Sequence, residues 1–322
     1  MEATHTLPAP SQAPLRKRWS ARKRRSLVTG LLFISPWILG FLLFNVYPMV
    51  KSLVMSFTEW HLRMPSVWIG LTNYTDLLQD RRFWTSLANT TYMVLFAVPL
   101  NLFCAFLFAV LLNLKIRGQS FYRVIYYLPS IVPVVASSML WMWIFNTNNG
   151  ILNAFLGYLG IKGPSWLTDP AWAKPALMIM GLWGIGNTVI IYLSGIQDVP
   201  VSLLEAAEID GANWFQRLWY ITIPMVSPIT LFNLIIGVID MFQYFTQAYI
   251  FASVQAGSNA QRLGAPLDST LFYSVYLYDR FQTLRLGYAA AMAWILFIII
   301  LICTLLLMRS SQRWTYYEAE GR

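Results

Sequence analysis

The chain has 322 residues, of which 57% are hydrophobic and only 11% are charged, and its formal net charge is +9. Soluble domains carry about 25% charged residues, so this composition excludes an ordinary soluble protein. The two cysteines and two histidines have no spacing typical of a metal site.

The N-terminal region is polar and ends in a dense cluster of Arg and Lys. We expect residues 1–26 to form a disordered, cytoplasmic tail, because Lys and Arg beside a membrane span favour the cytoplasm. Nucleic-acid binding is the alternative that such a cluster leaves open. The basic residues of the other loops favour neither side, so the predicted orientation depends on this cluster. Because a topology signal beside the first span accounts for this basic cluster, we predict no nucleic-acid partner.

Six apolar runs are long enough to cross a bilayer as helices, which takes about 20 residues. The alternating polar pattern of a barrel strand is absent, and the first run is too long for a cleaved signal peptide. We therefore predict an all-α polytopic membrane protein with six transmembrane helices over residues 27–308 and a cytoplasmic tail over 309–322. The runs are Leu27–Val50, Thr85–Leu114, Tyr122–Phe145, Ala176–Ile196, Trp219–Ala252 and Leu286–Met308.

A polar segment, the acidic loop (residues 198–218), separates the fourth run from the fifth. Pro200 is pre-set for a first helical turn, and Ser202 and Glu205 have the spacing of a capping box. A short helix is therefore predicted to begin near Pro200 or Ser202. Gly211 permits a tight turn that a residue with a Cβ would resist.

The acidic loop carries three carboxylates, on Glu205, Glu208 and Asp210. An exposed acidic surface suits a basic pocket on a protein partner. An ordinary solvated loop, acidic only for solubility, is the alternative that the residues alone leave open.

Polar, small and aromatic residues recur at helical spacing within the fourth and fifth runs. The predicted faces comprise Trp183, Gly184 and Asn187 in the fourth run and Gly237, Asp240, Met241 and Tyr244 in the fifth. Asp240 is the only carboxylate deep within a run, and an ionisable residue there is a functional candidate. The alternatives are helix packing and, for Asp240, a structural hydrogen bond to Gln243, Asn233 or a neighbouring helix.

The acidic loop resembles the Glu-Ala-Ala loop with which permease subunits of ATP-binding-cassette importers contact their ATPase. The resemblance consists of Glu-Ala-Ala at 205–207, a glycine four residues later at 211, and Ile-x-Ile-Pro at 221–224. The one departure is the second isoleucine of that last segment, where the family usually has leucine. The candidate ATPase-contacting residues are Glu205, Ala206, Ala207, Asp210, Gly211, Ile221 and Pro224.

Other segments are similar to the maltose-type carbohydrate branch of that family. They are Gly70–Tyr74, the Asn89-Thr90 pair, Phe121–Pro129, Trp141–Asn146 and Asn149–Asn153. The segment from Ala256 to Thr270 departs from the family pattern, and nothing is carried over to it.

The resemblance implies a subunit of a bacterial or archaeal plasma (inner) membrane importer, with both termini cytoplasmic and a cytoplasmic coupling helix between the fourth and fifth transmembrane helices. The implied partners are a second permease subunit, two copies of an ATPase, an extracytoplasmic solute-binding protein and membrane lipid. The predicted polar faces fall where the family's sugar-contacting residues do, so they become candidates for the substrate path.

The same resemblance implies that this chain is not an enzyme and binds no cofactor, since ATP and Mg are used by the separate ATPase. The sequence agrees, because it contains no Gly-x-x-x-x-Gly-Lys-Ser/Thr phosphate loop. The predicted cargo is a sugar or oligosaccharide, with a glycerol-phosphate-like solute as an alternative. An ion-coupled carrier acting alone would require inverted repeats or several embedded charges. A membrane-embedded enzyme would require a nucleophile–base or metal set, which is missing.

Overall fold

The computed structural model describes residues 21–60, 65–114, 117–256 and 263–316. The predicted tail up to residue 20, the last six residues and part of the divergent segment, 257–262, lie outside the described residues. The described chain is mostly helical, as the composition predicts. It divides into two units, Met1–Ser52 and Leu53–Arg322.

The first unit is helical through its described part. Helix α1 (Ala21–Phe41) continues through a π-helical turn (Leu42–Val46) into α2 (Tyr47–Ser56), whose last residues belong to the second unit. Residues 21–26, predicted as part of a disordered tail, are the first residues of α1. The π turn ends two residues before Pro48, which has no N–H to complete an α-helical ladder.

After the last residues of α2, the second unit has a small antiparallel hairpin, in which β1 (Thr58–Glu59) pairs with β2 (Val67–Trp68). Its helices follow in order: α3 (Thr72–Gln79), α4 (Arg81–Asn113), α5 (Gln119–Ile131), α6 (Val134–Ile144), α7 (Ile151–Tyr158), α8 (Pro170–Trp183), α9 (Gly186–Gln197), α10 (Val201–Ile209), α11 (Trp214–Arg217), α12 (Ile223–Phe242), α13 (Thr246–Ala256), α14 (Tyr273–Gln282) and α15 (Leu286–Ser311). A second π-helical turn, Leu218–Thr222, joins α11 to α12.

Among the described residues, four helices are long and apolar enough to cross a membrane, or up to six if each of two bent pairs is one span. The third predicted run is such a pair, because α5 and α6 meet at 98°. Val132 is extended there, with ψ 129°, since the following Pro133 disfavours helical geometry in the residue before it. The fourth predicted run is also a pair, α8 and α9, which meet at 52° at Gly184 and Ile185.

Helix α4 is the central element of the second unit and packs against α8, α9, α12 and α14. Close approaches between helices depend on glycine. A Cβ on Gly186 of α9 would lie 2.5 Å from the carbonyl oxygen of Tyr126 and 3.0 Å from the Cα of Tyr127, both in α5. A Cβ on Gly237 of α12 would lie 3.1 Å from a methyl of Val98 in α4. Small residues thus set the spacing between these helices.

Asp80, the residue before α4, is hydrogen-bonded to side chains of α14 and α15. Its Oδ2 accepts hydrogen bonds from the hydroxyls of Tyr276 in α14 and Tyr288 in α15, the latter at 2.7 Å, while its Oδ1 caps α4 at the amide of Arg82. Burial raises the pKa of the Asp80 carboxyl, but these hydrogen bonds outweigh it and hold that pKa below its usual value. Burial together with the contact to Asp80 raises the pKa of Tyr276 to about 12.

Candidate functional site

The acidic loop contains the predicted short helix, α10, which begins at Val201 with Pro200 at its N-cap. Ser202 is therefore already inside the helix, and the predicted capping box between Ser202 and Glu205 is wrong. The physical reason is that the fixed φ of Pro200, −56°, starts the helix two residues earlier than the box requires.

Gly211 ends α10 in the left-handed conformation, with φ +85°. Its amide donates to the carbonyl of Glu208 at 3.0 Å, and the amide of Ala212 donates to the carbonyl of Ala207 at 2.9 Å. These two bonds are the pair that defines a Schellman motif. The predicted tight turn at Gly211 is therefore confirmed, and Ala207 has a defined backbone role in it.

The chain after Gly211 folds back and is fastened to α10. Asn213 caps α11 in a reciprocal capping box with Gln216, whose two hydrogen bonds are 2.7 and 2.9 Å long. Arg217, at the end of α11, forms an ion pair with Glu208 of α10. The acidic loop thus contains a capping box, but it lies on α11 and consists of residues other than those predicted for α10.

The outer surface of α10 combines free carboxylates with an exposed apolar side chain. Glu205 and Asp210 are exposed, and within the described ranges no side-chain partner is found for either, whereas Glu208 is held by Arg217. Ala206 is exposed, and Ile209 is 86% exposed. The surface of α10 therefore presents two carboxylates without a partner in the described ranges and one large apolar side chain.

The end of the motif connects the acidic loop to the helix core. Ile221 lies in the π turn and packs against the buried cluster formed by α4, α9 and α12, which includes Tyr192 and Val226. The amide of Ile223 donates to the carbonyl of Leu218, five residues back, and Pro224 follows in the first turn of α12. The Ile-x-Ile-Pro sequence therefore places a π turn between the loop and the core.

A cavity of about 210 Å³ lies between α4, the α8–α9 bend and α12. Its described lining consists of Val98, Asn101, Leu102, Gly181, Gly184, Ile185, Thr188, Asn233, Ile236, Gly237, Asp240 and Met241. Four predicted substrate-path residues are among them: Gly184, Gly237, Asp240 and Met241. Asn101 and Thr188 are polar lining residues that the sequence analysis missed, since only packing of α4 against the bend brings them there.

Three other predicted substrate-path residues are not in this lining. The predicted faces assumed straight helices, but α8 ends at Trp183 and α12 ends at Phe242. Trp183 instead packs edge-on against Trp141, and Tyr244 packs edge-on against Phe272. Asn187 lies beyond the bend and is exposed. Each predicted face therefore reaches the cavity only in part, and contact of Trp183, Asn187 and Tyr244 with a solute stays a prediction.

Asp240 is exposed in the chain and its carboxylate is unpaired as far as the described residues extend. One of the structural partners considered for it is engaged elsewhere, since the side-chain amide of Asn233 donates to the carbonyl of Ile229 at 2.9 Å. Asn101 contributes a second free acceptor, because its Oδ1 is buried without a hydrogen-bond partner. Buried polar atoms are rarely left unpaired in folded proteins. The Oδ1 of Asn101 and the carboxylate of Asp240 are therefore both available to accept hydrogen bonds from a hydroxyl-bearing molecule.

Comparison with known proteins covers nearly the whole chain. Residues 97–315 match the family model described as binding-protein-dependent transport system inner membrane component. The probable ABC transporter permease protein YesP of Bacillus subtilis is 41% identical over 92% of this chain and 94% of its own length. The lactose transport system permease protein LacF of Rhizobium radiobacter is 33% identical, over 89% of this chain and 95% of its own length.

Among solved structures, the fold is similar to a chain of a bacterial alginate ABC transporter in complex with an alginate pentasaccharide-bound periplasmic protein. The TM-score is 0.72 at 23% identity, and the match covers 92% of this chain and 97% of that one.

Proposed function

Because this chain belongs to the family of binding-protein-dependent transport system inner membrane components, we propose that it is a permease subunit of an ATP-driven importer for a sugar or oligosaccharide. It forms the pathway with a second permease subunit and receives its cargo from an extracytoplasmic solute-binding protein. Two copies of a separate ATPase use ATP and Mg, and this chain binds no cofactor.

The observation that carries this proposal is the surface of α10. An ATPase that transmits its ATP-driven movement to the permease has to bind the permease at a defined and rigid element. The Schellman turn at Gly211 and the capping box at Asn213 fix the loop, while the carboxylate of Glu205 is left free. A basic pocket on the ATPase is the complementary partner for that carboxylate.

The cavity beside Asp240 is the proposed segment of the solute pathway. Its lining mixes glycines, amides, a hydroxyl and a carboxylate with apolar side chains, which matches the chemistry of a site for a polyhydroxylated solute. Gly184 and Gly237 leave room there, and Asp240, Asn101 and Thr188 provide hydrogen-bonding groups. Rocking of the two permeases around this position exposes it to each side in turn.

In the proposed topology the chain crosses the membrane six times and both termini are cytoplasmic. The acidic loop is then cytoplasmic, and the segment between α7 and α8 is extracytoplasmic. We expect Tyr158→Cys, at a residue that is 91% exposed, to react with an impermeant thiol reagent added to intact cells. Ser202→Cys in α10 should react only after permeabilisation. Labelling of Ser202→Cys from outside would contradict the topology.

The proposed function is tested by reconstituting this chain with a second permease, the ATPase and the binding protein in liposomes. We expect ATP-dependent uptake of at least one member of a panel of labelled sugars, and none when the ATPase is omitted. A matched preparation with a catalytically inactive ATPase controls for leakage. Uptake that continues without ATPase and follows an ion gradient would support the ion-coupled carrier instead.

A further inference from the structure

A proline interrupts the hydrogen-bond ladder in the first two turns of α12 (223–229), which we call the foot of α12. Pro228 has no N–H, so the carbonyl of Pro224, four residues earlier, lacks its α-helical donor. The hydroxyl of Ser227 takes the place of that donor and donates to the Pro224 carbonyl at 2.6 Å. Because Ser227 is buried, the remaining capacity of its hydroxyl oxygen has to be used within the protein.

The second bond of Ser227 comes from the C-terminal end of the described chain. The backbone amide of Tyr316 donates to the Oγ of Ser227 at 2.9 Å, across 89 residues of sequence. A serine hydroxyl has one proton to donate and two lone pairs that accept, so both bonds can form at once. Ser227 therefore repairs the ladder of α12 and binds another segment with the same oxygen.

The segment that carries this amide is residues 312–316, which we call the strap, and it follows α15 directly. The amides of Trp314 and Thr315 donate to the carbonyl of Ser311, the last residue of α15, at 3.1 and 2.8 Å. Ser311 is buried, and Thr315 is half-buried with its Oγ1 enclosed by protein. The strap therefore turns back against the helices where α15 ends.

We propose that Ser227 is a positioning residue for the coupling of ATP hydrolysis to transport, because through the strap it ties the end of α15 to the foot of α12. The inference rests on the proposed function. The foot of α12 directly follows the π turn Leu218–Thr222, which joins α12 to the acidic loop. Movement that the ATPase imposes on the loop then reaches α15 as well as α12, and the two helices are displaced together.

The strap adds one hydrogen bond to two helices that already pack against each other. α12 packs against α15, and packed side chains together with hydrogen bonds are what carries energetic coupling between distant positions. A hydrogen bond of ordinary strength shifts an equilibrium by about two- to twelvefold. The strap should therefore change how fully α15 follows α12, and its loss should leave the chain folded.

The first test removes the bond of the strap while the Ser227 hydroxyl stays in place. Tyr316→Pro lacks the donating amide, whereas Tyr316→Ala keeps the amide and loses the same half-exposed ring. In the purified complete transporter, we expect hydrogen exchange at the amides of Trp314 and Thr315 to be about two- to twelvefold faster in Tyr316→Pro. Tyr316→Ala should exchange at the parental rate.

The second test measures coupling, as the number of sugar molecules taken up per ATP hydrolysed in liposomes. The probe is the labelled sugar of the panel that the parent takes up fastest. We expect this ratio to fall by about two- to twelvefold in Tyr316→Pro and in Ser227→Ala, with parental affinity for the ATPase because α10 is untouched. Ser227→Thr, which keeps a hydroxyl at this position, should restore the ratio. A merely structural role would lower yield and thermal midpoint and leave the ratio of the surviving transporter unchanged.

The Tyr316 variants decide the inference even if Ser227→Ala does not assemble. Parental exchange in Tyr316→Pro, or a parental ratio of uptake to ATP hydrolysis in that variant, would overturn it. An equal fall of the ratio in Tyr316→Ala would overturn it too, because the amide would then not be the group that matters. Absence of ATP-driven uptake in the parent for every sugar of the panel would count against the proposed function, and with it the coupling role, although the exchange rates would still report the contact itself.

Discussion

Replacing Glu205 by alanine should weaken binding of the ATPase by about 2–5 kcal/mol, or roughly thirty- to several thousandfold in Kd. The carboxylate is exposed and has no side-chain partner within the described part of the chain, so its whole interaction capacity is available to another protein. Much of the loss arises because the basic partner is left buried and unpaired. The measurement is the affinity of the purified ATPase for the detergent-solubilised permease, together with binding-protein-stimulated ATP hydrolysis in liposomes.

The matched control for this experiment is Glu208→Ala. Glu208 is on the same helix and carries the same charge, but it is already paired with Arg217 within the chain. An exposed ion pair contributes at most about 1 kcal/mol, so this variant should bind the ATPase nearly as the parent does. If both variants lose binding equally, the contact is non-specific electrostatics; if neither does, α10 is an ordinary solvated helix.

Replacing Gly186 by valine should destabilise the helix packing by about 1–3 kcal/mol. The new Cβ would lie 2.5 Å from the carbonyl oxygen of Tyr126 and 3.0 Å from the Cα of Tyr127. Both are backbone atoms of α5 and cannot rotate away, so α5 and α9 would have to separate. We expect a much lower yield of monodisperse protein in detergent, and a lower midpoint in a thermal scan of what remains.

Gly184→Ala provides the comparison for Gly186. Its Cβ would meet only the carbonyl oxygen of Gly181, at 3.7 Å, which is ordinary van der Waals contact. We therefore expect parental yield and thermal midpoint from this variant. Equal behaviour of Gly184→Ala and Gly186→Val would mean that the close approach of α9 to α5 is not needed for stability.

Local chemistry made part of the acidic loop predictable. Gly211 was identifiable because a left-handed residue that ends a helix favours glycine, and the structure places it there with φ +85°. The N-terminal boundary of α10 was predicted to within a residue from Pro200. The pairing of Glu208 with Arg217 was not predictable, since it depends on how far the chain folds back after the turn.

The cavity was less accessible to sequence reasoning. Hydropathy averages over a run and is insensitive to a break, so Ala176–Ile196 read as one straight helix although it bends by 52° at Gly184 and Ile185. A helical face extrapolated across such a bend misplaces every residue beyond it, as happened with Asn187. Asn101 gave no local signal either. Its relevance comes from tertiary packing of α4, which a single sequence does not encode at short range.

The fastening of α10 to α11 has a mechanical consequence. The turn at Gly211, the capping box at Asn213 and the ion pair to Arg217 join the two short helices into one stiff arm. With nine residues, α10 alone is about 13.5 Å long. A force applied at its free end acts as a torque on the foot of α12. The π turn Leu218–Thr222 is the segment that joins this arm to α12, so the torque reaches α12 through it.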